Sequence, residues 1–122
     1  MCLARTRMPQ IDLADYGHFM QYCHNNGVTV LRRTIAPQML RSLQCWGPWR
    51  GHKVKRETLA KPVLSSGDNV ILDGNTRWAN AVDLGIEAIP NYSIQLDFTR
   101  AIKFMVAFPR AYILDTDHAN GV

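Results

Sequence analysis

Asn69–Gly85, reading NVILDGNTRWANAVDLG, sets a strand, a turn and a helix in succession. Val70-Ile71-Leu72 is a short apolar strand, and Asp73-Gly74-Asn75-Thr76 is a tight polar turn. A helix follows, because Trp78, Ala81, Val82 and Gly85 fall at i, i+3, i+4 and i+7 and give one apolar or small face. Gly85 is placed to end that helix, since glycine accepts the left-handed conformation at the position after the cap. A strand, a turn and a helix start aim free backbone N–H groups at one point. The helix dipole makes that point favourable to an anion. Arg77, in the first turn, adds a forked cation suited to phosphate oxygens. The alternative is plainer: Gly74 makes the turn and Arg77 pairs with a carboxylate such as Asp73 or Asp83.

Working outward, Pro62-Val63-Leu64 and Val70-Ile71-Leu72 flank Ser65-Ser66-Gly67-Asp68 and read as a hairpin. Downstream, Ile89 to Leu96 reads as a half-buried strand, with Ile89, Tyr92, Ile94 and Leu96 apolar and Asn91, Ser93 and Gln95 polar. Val70 to Leu96 is long enough for a strand–helix–strand crossover, with Arg77–Leu84 helical between two strands of one sheet. Asp97 can cap a last helix that turns Ala101, Ile102 and Met105 inward and stops at Pro109.

The earlier half reads as helix, strand, helix. Asp12 can cap a helix whose inner face is Leu13, Tyr16, Phe19, Met20 and Cys23, ending at Asn25-Asn26-Gly27. Val28 to Ile35 is rich in β-branched residues and reads as a strand. Ala36-Pro37 opens a second helix with Met39, Leu40, Leu43 and Trp46 on its stripe. The segment from Trp49 to Lys61 is the most basic. Trp49, Arg50, Lys53, Lys55 and Arg56 there combine cations with aromatics in the manner that holds a nucleic-acid backbone, or else form a solvated loop whose tryptophans are core.

A length of 122 residues implies one domain, 1–122, with 1–10 a loose arm and 113–122 a fraying tail. A hydrophobic fraction of 47% and a charged fraction of 20% are those of an ordinary globular protein. No apolar run approaches the ~18 residues of a membrane helix, and no secretory signal is present, so a cytoplasmic protein is expected. The formal net charge of +4 permits contact with an anionic partner. Cys2, Cys23 and Cys45 form no CxxC pair, which disfavours a zinc knuckle or redox motif. His18, Cys23 and His24 do not have the spacing of a standard metal-ligand set, and the two histidines point to different faces of one helix.

The central stretch resembles the phosphate-binding core of the ParB/sulfiredoxin superfamily, in which a strand ending in Gly-x-x-Arg opens a helix. ParB proteins have Gly-Glu-Arg-Arg there, and sulfiredoxins Gly-Cys-His-Arg. This chain has Gly74-Asn75-Thr76-Arg77. Stand-alone relatives, common in phages and plasmids, read Leu-Asp-Gly-Asn-His-Arg, and this chain departs from them only at Thr76. The resemblance covers about Lys61 to Leu96 well and the earlier half loosely. It implies an α/β (α+β) domain, a small mixed sheet with helices packed on it.

By resemblance, Gly74, Asn75, Thr76 and Arg77 would bind the phosphate of a nucleotide or of DNA. Asp73 and Arg77 would carry any weak nuclease or ATPase chemistry, with a nucleoside triphosphate and a divalent metal as the implied cofactors. Asp73 can equally brace the loop. The sulfiredoxin nucleophile falls at Asn75, which cannot form a thiolate, so that activity is not expected. No second arginine-rich box and no helix-turn-helix follow Leu96, so sequence-specific DNA reading is not expected either. The alternative function is a non-catalytic protein that binds and modulates a host protein in the host cytoplasm.

Overall fold

The structure is a computed structural model and describes residues 8–43 and 55–113. Four strands form the main sheet in the order β2-β5-β3-β4: β2 Val30–Ile35, β5 Ile89–Ile94, β3 Val63–Ser66 and β4 Ile71–Asp73. β3 and β4 are the expected hairpin, antiparallel, with a register shift between Leu64 and Ser65. The turn between them places Asn69 at φ 63, and Ser66 accepts from the Asn69 amide at 3.0 Å.

β4, helix α3 (Asn75–Asp83) and β5 occupy one sheet unit as the patterns require. The strands do not form a direct crossover pair, however. β5 lies parallel to β3, not beside β4, and fills the space between β3 and β2. The parallel connection therefore runs from β3 through β4 and α3 to β5. β4, antiparallel to β3, extends the sheet on its far side.

Adjacent residues on these strands serve opposite faces. On one face Leu64, Leu72 and Ile94 pack with α1 (Tyr16–Asn25) and α4 (Phe98–Val106) through Tyr16, Phe19, Met20, Cys23, Ala101 and Met105. Phe19 meets Phe108 edge-on at 5.2 Å. On the other face Val63, Ile71 and Ile89 pack with Leu40 and with Ala81 and Trp78 of α3. The result is a small mixed sheet with helices packed on it, as expected.

α1 buries Tyr16, Phe19, Met20 and Cys23, but Leu13 is 36% exposed because Leu13–Asp15 is a 3-10 turn that only leads into the helix. Asp12 makes no cap bond; its Oδ1 instead accepts from the Tyr112 hydroxyl at 2.8 Å. β2 begins at Val30, since the Val28 amide is spent on the Cys23 carbonyl at the end of α1. Asp97 does cap α4, accepting from the Arg100 amide at 2.9 Å.

The helix expected from Pro37 is only a 3-10 turn, Pro37–Met39. Leu40 is extended, and Arg41 bridges Val70: its amide donates to the Asn69 carbonyl and its carbonyl accepts from Ile71. This ladder outcompetes the helical stripe, and leaves Met39 61% exposed while Leu40 is buried. Trp46 lies outside the described residues, as do Cys2 and Cys45. A short helix α2, Arg56–Leu59, occupies the end of the basic segment.

The N-terminal arm ends sooner than expected. Met8 is fully buried, and β1 (Pro9–Gln10) pairs antiparallel with β6 (Tyr112–Ile113). Apolar burial of Met8 and this two-rung ladder hold residues 8–10 on the fold. Among the described residues no helix is long and apolar enough to cross a membrane.

The largest correction concerns β5. Pro90, Tyr92 and Ile94 share one face, while Ile89, Asn91 and Ser93 share the other. Asn91 and Ser93 are fully buried rather than turned to solvent. Burial is tolerable because their polar atoms are bonded. Asn91 Nδ2 donates to the Val63 carbonyl at 2.9 Å and to Ser65 Oγ at 3.0 Å, and its Oδ1 accepts from Arg33 Nε at 2.8 Å. Arg33 also donates from Nη2 to Asn69 Oδ1 at 2.7 Å, so one guanidinium clamps β5 to the hairpin turn.

Candidate functional site

Asp73 ends β4, and Gly74 turns the chain into α3 at φ 101, a conformation open to glycine and strained for other residues. The turn is crowded as well as strained. A Cβ on Gly74 would stand 2.7 Å from Arg77 Nη2 and 3.3 Å from a Val63 methyl. The absence of that carbon lets the Arg77 side chain fold back over the turn.

Folded back, Arg77 Nη2 donates to the Tyr16 hydroxyl at 2.8 Å and to the Pro62 carbonyl at 2.9 Å. Tyr16 in turn donates to Asp73 Oδ2 at 2.5 Å. Arg77, Tyr16 and Asp73 thus form one chain of bonds across α3, α1 and β4. Burial, and after it the charge of Asp73, pushes the Tyr16 hydroxyl well above its ordinary pKa. Tyr16 therefore stays protonated and keeps donating. Arg77 is bonded differently from the alternative of direct pairing with Asp73 or Asp83. Among the described residues the ion pairs are Arg100–Asp97 and Arg110–Asp15, and Arg77 reaches Asp73 only through Tyr16. Its Nε is buried and has no hydrogen-bond partner among the described residues.

A cavity of about 240 Å³ opens over this turn. Gly74, Asn75, Thr76 and Arg77 all line it, together with Asp73, Asp12, Leu13 and Thr58. The structure thus gathers the four residues expected to face a phosphate. It also adds two regions that sequence reasoning missed, Gln10–Leu13 from the end of β1 and Thr58 on α2. Neither carried a local signal, since both arrive through tertiary packing. Asn75 is buried, and its Oδ1 accepts from Ser42 Oγ at 2.5 Å. Asp73 is 9% exposed, so it is more brace than open ligand.

The volume bounds what fits. Small-molecule sites usually span roughly 300–1,000 Å³. A cavity of about 240 Å³ takes a phosphate or pyrophosphate group and leaves a sugar and base outside. Asp12 and Asp73 are its carboxylates. Two carboxylates with phosphate oxygens and water are a fitting donor set for a magnesium-type cation. Among the described residues no three His, Cys, Asp or Glu side chains gather as a metal site. His18 and His24 are exposed on α1, and Cys23 is buried, its thiol pushed up to about 11 by burial.

Trp49, Arg50 and Lys53, the first part of the expected nucleic-acid segment, lie outside the described residues. Lys55 and Arg56 are exposed at the start of α2, the helix that carries Thr58 to the cavity.

Among solved structures the chain is similar to a Pnob8-like ParB-N domain, at 18% sequence identity and a TM-score of 0.45. The match covers 61% of this chain and 33% of that one, so this chain spans one third of its length. No family model and no curated protein matches the chain. The architecture, a four-stranded mixed sheet with helices packed on it, is consistent with the ParB-like type that Asn69–Gly85 resembles.

Proposed function

We propose that this chain is a ParB-like domain that binds phosphate, of a nucleotide or of the DNA backbone, in the cavity at the start of α3. The observation that carries the reading is Arg77. It lines the cavity, and among the described residues no carboxylate touches it directly and its buried Nε has no hydrogen-bond partner. A guanidinium beside the cavity favours an anion there through its charge and its forked donors. The backbone at Gly74–Thr76 and the positive end of the α3 dipole favour the same charge.

Asp12 and Asp73 repel a bare phosphate, and a divalent cation held by their carboxylates would strengthen binding. When bound, that cation would supply charge neutralisation. Arg77 would orient the phosphate and Tyr16 would hold the Arg77 guanidinium in place. Asp73, bonded to Tyr16, then acts as a brace, and the function proposed is binding rather than hydrolysis. Calorimetric titration with inorganic pyrophosphate, with and without magnesium, tests the proposal. Saturable binding that strengthens with magnesium supports it, and no binding under either condition refutes it.

A further inference from the structure

A second and roomier groove lies on the other side of Tyr16, between α1 and the β2–β5 edge of the sheet. It encloses about 650 Å³. Its walls are apolar at Met20, Tyr16 and Tyr92 and basic at Arg32, Lys61 and His24, and none of its described lining residues is acidic. The Arg32 guanidinium stands over the Tyr92 ring, 5.4 Å from its centre. A second pocket of about 470 Å³ shares Met20, His24 and Arg32 and carries the groove along the start of β2. The groove is therefore elongated, with its cations, Arg32 and Lys61, in the larger part.

We infer that this groove binds a single strand of nucleic acid. A base stacks on the Arg32–Tyr92 pair, because a π-face and a guanidinium accept any base. Lys61 and Arg32 take the flanking phosphates. The elongation favours a strand over an isolated nucleotide, whose one base and one phosphate would fill only part of it. The described lining imposes none of the repulsion that Asp12 and Asp73 impose on the cavity at α3. This inference does not rest on that cavity: Arg32, Lys61 and Tyr92 do not line it.

The test uses the whole chain and a fluorescently labelled ten-residue oligothymidylate, titrated over a range of salt. Arg32→Gln/Lys61→Gln, two exposed positions, should weaken binding at least tenfold. It should also flatten the log–log salt slope by about 1.4, since each phosphate contact to a single strand contributes about 0.7. Tyr92→Leu should weaken binding with the salt slope unchanged. Thymidine monophosphate should compete poorly; competition per nucleotide equal to the oligomer's would overturn the strand assignment. Displacement of the oligomer by polyglutamate at equal charge would overturn it in favour of an acidic peptide. Wild-type affinity and slope in the double variant, or no binding by the wild type, would overturn it outright. Thr76→Glu, which alters only the α3 cavity, should leave oligomer binding intact, so failure of either site is separable from failure of the other.

Discussion

Tyr16 donates its hydroxyl hydrogen to Asp73 at 2.5 Å, across 57 residues of sequence, and the same oxygen accepts from Arg77. This one hydroxyl joins the helix that fills the core to the turn that shapes the candidate site. It also explains why a cation and a carboxylate that line one cavity do not simply collapse onto each other. The neutral phenol stands between them as a spacer of fixed polarity.

Tyr16→Phe removes the spacer: Asp73 Oδ2 loses this donor, and Arg77 Nη2 keeps its bond to the Pro62 carbonyl. A hydrogen bond to a charged group contributes about 1.5–3 kcal/mol, so urea denaturation should show a loss in that range. A midpoint equal to wild type would show that the hydroxyl contributes nothing.

The same pair of proteins should diverge at high pH. The Tyr16 pKa is raised on folding above the ordinary 10.0, so its contribution is complete below pH 10 and is lost as pH rises from there toward the folded value. Wild type should therefore lose stability relative to Tyr16→Phe above pH 10. Parallel stability curves in that range would contradict the raised pKa.

Cys23 should be nearly inert while the protein is folded. It is fully buried and its thiol is pushed up to about 11, so little thiolate forms at pH 8. In a Cys2→Ser/Cys45→Ser background, a thiol reagent should label Cys23 slowly, and urea should restore an ordinary rate. Fast labelling without urea would show that the α1 face is open.

Asn91→Ala should rank among the costly polar substitutions. It strips acceptors or donors from Val63, Ser65 and Arg33 at once. The expected loss is about 1–3 kcal/mol for each buried group left unpaired, measured by denaturation. A near-neutral effect would mean that these groups reach water.

Much of this was legible in the sequence, for identifiable reasons. The Val70–Leu96 elements, the Asp97 cap and the inner face of α1 rest on short-range patterns that act alone. The helix at Pro37 failed because Arg41 found a strand partner in Val70, a long-range ladder no local pattern shows. The faces of β5 were misread because Asn91 and Ser93 look like solvent residues until their partners on β3 and at Arg33 are known. At the site, the loop Gly74–Arg77 was legible from its turn chemistry. Tyr16 was legible only as an apolar core position; its bonds to Asp73 and Arg77 depend on α1 crossing β4.

The central claim is the phosphate site, and calorimetric titration of magnesium pyrophosphate into three folded proteins tests it most directly. The measurement is made below all their melting temperatures. Wild type should bind. Thr76→Glu places a carboxylate at the cavity and at the start of α3, where the dipole favours it, so it should keep stability and lose binding. Arg77→Ala should lower stability, because Tyr16 and Pro62 lose a donor. It should also cost the folded protein about 1.5–3 kcal/mol of binding, the range for a charge-assisted hydrogen bond. If folded Arg77→Ala and Thr76→Glu both bind pyrophosphate as wild type does, Arg77 is a structural brace and the phosphate site is wrong.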